Sequence, residues 1–194
     1  MTKQLVIATG NTHKVLEMKE ILAPLGYDVL SAAECGGMPD VVEDADTFQG
    51  NACKKAIETA KALGRTVLAD DSGLEVFALN GEPGVYSARY AGEGGNNGRN
   101  LAKLLGKMQG MTDRSARFVC VIAVANPDGL VGFAEGEVRG TIALAPAGSG
   151  GFAYDPGFIP NGYDKTFGEL PPEVKNSLSH RANALKAAID KGLL

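Results

Sequence analysis

The sequence predicts an α/β domain with a mixed central β-sheet flanked by helices. Short apolar runs alternate with segments whose apolar residues recur every three or four positions, as interleaved strands and helices do. The longest apolar run, Arg117 to Ala125 (RFVCVIAVA), reads as the central strand. It ends in Asn126-Pro127-Asp128-Gly129, a turn that makes Leu130 to Arg139 its antiparallel partner. A hairpin inside an α/β pattern means a mixed sheet, not a wholly parallel one. The 194 residues suit one domain, 1–194. A chain of this size buries roughly 70% of the surface that its unfolded form exposes.

In chain order, Gln4 to Ala8 is a short buried strand. Asn11 or Thr12 caps a helix to about Leu25, with Val15, Met18, Leu22 and Leu25 as its apolar stripe and Pro24 and Gly26 ending it. Asp28 to Ser31 is a second strand. Glu34 to Asp46, with two adjacent glycines, a proline and five acids, is a loop. Asp46 or Thr47 caps a helix lined by Phe48, Ala52, Ala56, Ala60 and Leu63, and Gly64 stops it. Lys55 falls on its polar side. Thr66 to Ala69 is a strand running into Asp70-Asp71-Ser72-Gly73, and Leu74 to Leu79 continues extended to an Asn80-Gly81 turn. Asn96 to about Lys107 is helical with Leu101, Leu104, Leu105 and Met108 inward. The stretch 147–151 is glycine-rich, and Glu173 to Lys191 is mostly helical.

The net charge of −4 argues against a DNA or RNA polymer as partner, since phosphate polymers need a basic footprint. Small anions remain open, because a few placed cations suffice. Cys35, Cys53 and Cys120 are odd in number and widely spaced, which is neither a disulfide framework nor a zinc set. The apolar start is too short for a signal peptide, and no apolar run approaches ~18 residues. The expectation is a cytoplasmic protein with no membrane segment.

Five segments carry chemistry. Thr9-Gly10-Asn11 with Lys14 joins a strand to a helix, where backbone N–H groups and the helix dipole favour an anion and a lysine adds a full charge. It has neither P-loop nor dinucleotide-fingerprint spacing, and an ordinary capped turn explains it equally well. Asp70 and Asp71 follow an apolar strand, where acids need hydrogen bonds or a cation. Alternation along a strand points only one of them into a given site. Glu43, in the acidic loop, matters if it meets Asp71 in space, since two carboxylates with waters and phosphate oxygens suit Mg²⁺. Gly150 to Pro156 (GGFAYDP) offers aromatic faces and a carboxylate, suited to a purine or equally to packing in the core. On one helix from Val174 to Ile189, Arg181 falls among Val174, Leu178, Leu185 and Ile189. Either the helix begins later, capped by Ser177 or Ser179, or Arg181 points at an anion, and both can hold together.

TGNTHK, LADDSGL, PGVYSARYAG, GGFAYDP and SHR, in that order, resemble the inosine triphosphate pyrophosphatase family, the dITP/XTP pyrophosphatases, from Leu5 to about Leu185. The resemblance implies two lobes around a deep active-site cleft, usually in a homodimer. It implies Mg²⁺-dependent cleavage of ITP, dITP or XTP to the monophosphate and pyrophosphate. Residue by residue, it implies that Thr9, Gly10, Asn11, Thr12, His13 and Lys14 hold the triphosphate, with Lys55 near the phosphates. Asp71 would be the catalytic base and, with Glu43, a metal ligand. Ser72 would contact substrate. Phe152, Ala153, Tyr154 and Asp155 would clasp base and sugar, and Lys175, His180 and Arg181 would read the base or its neighbours. Two positions depart from the family pattern. Gly50 stands where a glutamate is common, and Ala153 where a glycine is. The alternatives are a nucleotide-binding module without catalysis and a related pyrophosphatase for other modified nucleotides.

Overall fold

The computed structural model describes residues 3–194. Its described strands form a six-stranded sheet in the order β2-β1-β3-β4-β5-β6. β1 (Lys3–Ile7) pairs in parallel with β2 (Tyr27–Ser31) and with β3 (Val67–Val76). β4 (Ser115–Asn126) and β5 (Gly129–Ile142) are neighbours joined by two residues, a link short enough only for an antiparallel hairpin. β6 (Phe158–Pro160) adds antiparallel to β5. The helices are α1 (Thr12–Leu22), α2 (Phe48–Leu63), α3 (Asn97–Lys107), α4 (Pro172–Leu178) and α5 (His180–Asp190). The sheet is mixed, as the embedded hairpin predicts. Among the described residues no helix is long and apolar enough to cross a membrane.

The chain forms two compact units. The first takes the chain up to Asp71, Cys120–Gly136 and Arg181–Leu194, and the second takes Ser72–Val119 and Glu137–His180. In the first unit, Leu5 and Ile7 of β1, Met18 and Leu22 of α1, Leu68 of β3, Ile122 and Val124 of β4 and Leu185 of α5 make one core. Met18 and Leu22 are fully buried, so truncating either to alanine would cost about 2–5 kcal/mol. Leu25 does not join this stripe. α1 ends at Leu22, Ala23–Leu25 tighten into a 3₁₀ turn closed by Gly26 at φ +83°, and Leu25 is left 56% exposed.

α2 departs from expectation in a way that matters for the site. Of its predicted face, Phe48, Ala52, Ala56 and Ala60 are buried and Leu63 is half-buried, but a second stripe at the same spacing, Asn51, Lys55 and Thr59, is buried too. Lys55 is therefore not on a solvated side. The caps are as the sequence indicates: the Thr47 hydroxyl accepts the Gly50 N–H, and Gly64 closes the helix in the left-handed region.

β3 also differs from its prediction. It does not stop at Ala69 but runs for ten residues through Asp70-Asp71-Ser72-Gly73, so the two acids lie inside the strand. It ends at Val76, and Phe77–Leu79 form a 3₁₀ turn, not extended chain.

In the second unit, Phe118, Phe158 and Phe167 form an aromatic core with Leu101, Leu104 and Met108 of α3. Ring centroids are 4.7 Å apart for Phe118–Phe158 and 5.5 Å for Phe158–Phe167, the separations at which aromatic pairs attract. The C-terminal helical region is two helices. Ser179 is extended (ψ 158°), and its N–H closes α4 on the Lys175 carbonyl at 2.9 Å.

Candidate active site

The first unit holds Lys14, Glu43, Lys55, Asp70, Asp71 and Arg181. Alternation along β3 gives Asp70 and Asp71 different partners. Asp70 is completely buried, with Oδ2 2.9 Å from Lys14 Nζ of α1 and 3.4 Å from Arg181 Nη2 of α5. Arg181 also forms an ion pair with Glu17 of α1. Burial alone would raise the Asp70 pKa, but Lys14, Arg181 and Lys55 outweigh it and hold the carboxyl well below the usual carboxylate range. The Arg181 guanidinium gains in turn. Burial opposes its charge, while Asp70 and Glu17 hold its pKa above the ordinary arginine value. The arginine in an apolar stripe is thus explained on both counts: the helix starts late, and the side chain meets anions, which are Asp70 and Glu17.

Asp71 faces α2. Its Oδ2 accepts a hydrogen bond from Asn51 Nδ2 at 3.1 Å, in a buried setting. Burial pushes its pKa up to about 6; Lys55 and Lys14 pull against the rise, Glu43 adds to it, and the Asn51 hydrogen bond lowers it. Glu43 is thus within electrostatic reach of Asp71, and its Oε1 is 2.8 Å from Lys55 Nζ. Burial works against the Lys55 charge, yet Asp70, Glu43 and Asp71 hold its pKa above the usual lysine value. The Asn51 carbonyl oxygen accepts the Ala45 N–H at 2.9 Å, tying the acidic loop to α2.

The turn before α1 is built by its own side chains. Asn11 Oδ1 accepts the N–H groups of His13 (3.0 Å) and Lys14 (3.4 Å), a cap at the helix start, and Thr9 Oγ1 accepts the Asn11 N–H at 3.2 Å. Gly10, Thr12 and His13 are exposed beside it. The Asn11 amide oxygen thus takes two of the N–H groups that the sequence offered to a phosphate, while the Lys14 ammonium lies against Asp70.

The second unit holds the remaining predicted residues. Ser72 follows Asp71 on β3 and is half-buried. The loop at 150–156 folds around Asp155, whose Oδ2 accepts the Phe152 N–H at 2.5 Å and pairs with Lys175 Nζ at 2.8 Å. A Cβ on Gly151 would lie 2.3 Å from that same oxygen, so glycine is required there. Ala153 takes φ +54°, a region that penalises a Cβ by roughly 1–2 kcal/mol, at the position where the resemblance has a common glycine. Tyr154 is core: it is buried, and its hydroxyl donates to the Ser87 carbonyl at 2.7 Å. Burial pushes the Tyr154 pKa far above the usual phenol value. His180 is buried and stacks on Phe118 at 4.9 Å with planes 15° apart.

Glu17 and Asn51 belong to the cluster but carry no role in the sequence reading. Helical spacing contains a signal for both. Glu17 lies three residues after Lys14 on α1, and Asn51 four before Lys55 on α2, so each shares a face with a singled-out lysine.

The Ham1 family profile matches residues 5–191. Two curated dITP/XTP pyrophosphatases, from Desulforamulus reducens and Bacillus subtilis, are 51% and 50% identical over 189 and 186 residues. These alignments span 96% and 95% of this chain and 94% of each relative. The solved structure of the Staphylococcus aureus Ham1 protein superposes with a TM-score of 0.85 at 47% identity, covering 99% of this chain and 100% of that one. A Coxiella burnetii HAM1 protein gives 0.87 at 39% identity, covering 98% of each.

Proposed function

The chain belongs to the Ham1 family, and from that premise we propose that it is a nucleoside triphosphate pyrophosphatase for non-standard purine nucleotides. Its substrates are dITP, XTP and ITP, its products are the monophosphate and pyrophosphate, and its effect is to cleanse the nucleotide pool. Relatives that match it over nearly their whole length carry the name dITP/XTP pyrophosphatase. The observation that carries the reading is the Asp71 side of β3. A buried carboxylate lies within electrostatic reach of Lys14, Lys55 and Glu43 and is oriented by an amide hydrogen bond. A plain nucleotide-binding module has no use for such an acid.

In this reading a water oxygen attacks phosphorus at the α–β anhydride, the P–O bond to the leaving group breaks, and pyrophosphate departs. The water's proton passes to the Asp71 carboxylate. Asp70 is unsuited to that task because Lys14 and Arg181 hold it ionised and occupied. Lys14 and Lys55 supply positive charge toward the phosphate oxygens. Glu43 and Asp71 suit a divalent cation: the Glu43 charge adds to the rise in the Asp71 pKa, as a second acid does when no cation lies between them, and Mg²⁺ usually takes only one or two carboxylates. Mg²⁺ held by Glu43 and Asp71 would neutralise charge that develops on the phosphates. The net charge of −4 supports free nucleotides over polymers, the resemblance supports a homodimer, and the odd, widely spaced cysteines suit a reducing cytoplasm.

Pyrophosphate release from a panel of triphosphates, with and without Mg²⁺, tests this. Release from dITP, XTP and ITP, with dATP slower by orders of magnitude, is expected. Equal rates on ATP and ITP would remove the pool-cleansing role, and no release from any triphosphate would favour the binding module.

A further inference from the structure

We propose that Asn51 is a positioning residue that clamps the acidic loop 43–47 to Asp71 and so keeps Glu43 and Asp71 in register. The proposal rests on the reading of these two acids as the metal-binding pair.

Asn51 is 2% exposed in the first turn of α2, where a polar side chain needs partners at both ends. It has them. Nδ2 donates to Asp71 Oδ2 at 3.1 Å, and Oδ1 accepts the Ala45 N–H at 2.9 Å. The amide's orientation is forced, because an ionised carboxylate only accepts and a backbone N–H only donates. One uncharged side chain therefore joins the strand that carries one acid to the loop that carries the other, without adding charge between them. One helical turn further on, Lys55 holds Glu43 at 2.8 Å. Two of the loop's ties to α2 thus come from residues four apart on one face, and Lys54 adds a third, its Nζ 2.7 Å from Asp44 Oδ1.

Gly50 gives independent support. A Cβ there would lie 2.6 Å from the Ala45 Cβ, which cannot swing away, and 3.1 Å from Thr47 Oγ1. Glycine inside a helix is unfavourable by ~1 kcal/mol relative to alanine, so its presence fits the close approach of the loop. With a side chain at position 50, Ala45 would have to shift, which disturbs its N–H to Asn51 hydrogen bond. Position 50 faces Ala45 and Thr47, so the glycine there bears on loop packing.

The test compares the full-length wild type with Asn51→Ala and Gly50→Ala by three measurements: Mn²⁺ binding without nucleotide, followed by EPR; amide hydrogen exchange over residues 43–47; and kcat and KM on dITP. Asn51→Ala should weaken Mn²⁺ binding about 10-fold or more. It should speed exchange at Ala45, and it should lower kcat about 10-fold or more with KM nearly unchanged. Gly50→Ala should shift all three in the same direction by less. Mn²⁺ affinity, exchange and kcat all within about twofold of wild type would overturn the clamp. If Asn51→Ala does not fold, the same readouts on Gly50→Ala decide. A wild type that releases no pyrophosphate would sink the proposed function instead, and the exchange measurement would still decide the clamp.

Discussion

Asp70 and Asp71 are identical side chains one residue apart on β3, yet Asp70 meets Lys14 and Arg181 while Asp71 meets Asn51 of α2. Both are buried. Two cations in contact keep the first ionised far below its usual range, while burial lifts the second to about 6 against the pull of Lys55 and Lys14. Strand alternation sends the two side chains to different helices, and the helices decide their chemistry. One carboxyl is held ionised by its cations, and burial raises the pKa of the other.

This contrast can be broken most forcefully on the Asp70 side. Asp70→Ala leaves Lys14 and Arg181 without their common partner, and removing one member of a buried ion network costs about 3–5 kcal/mol. The melting temperature should fall by roughly 10 °C in calorimetry. A change of a degree or two would mean that Glu17 and solvent already satisfy the cations.

On the Asp71 side the sign reverses. A carboxyl whose folded pKa is raised weakens the fold above that pKa, and the penalty fades as pH falls toward the unfolded value near 4. Metal-free Asp71→Asn should therefore be more stable than wild type by ~1–3 kcal/mol at pH 8. That gain should shrink between pH 6 and 4. Asp70 contributes oppositely: its depressed pKa stabilises the fold above pH ~4, and that contribution is lost as acid protonates it. Melting curves across pH check both, and a pH-independent difference between Asp71→Asn and wild type would contradict the assignment.

The smallest effect lies in the second unit. Tyr154→Phe removes only the hydroxyl bonded to the Ser87 carbonyl, for a loss of ~1 kcal/mol in chemical denaturation.

What the sequence revealed was local. Thr47, Gly64 and Asn96 mark helix ends because capping depends on residues within one turn. The hairpin at Asn126 to Gly129 is set by its own turn. Arg181 stood out because a cation in an apolar stripe demands an anion, but that anion lies 111 residues away in Asp70. The burial of Lys55 was hidden for the same reason. Helical spacing places Lys55 on the flank of the alanine face, and in the structure its ammonium meets Glu43 of the acidic loop. Strand alternation showed that Asp70 and Asp71 part ways. It could not say which helix each would meet, because that depends on the packing of α1, α2 and α5 around β3.

The division of labour between the two acids is tested most directly by turnover of Asp71→Asn on dITP with saturating Mg²⁺. The substitution keeps the shape of the side chain while removing the carboxylate. The expected result is a folded protein whose pyrophosphate release falls on the order of 10²–10⁴-fold. Full turnover by Asp71→Asn would contradict it.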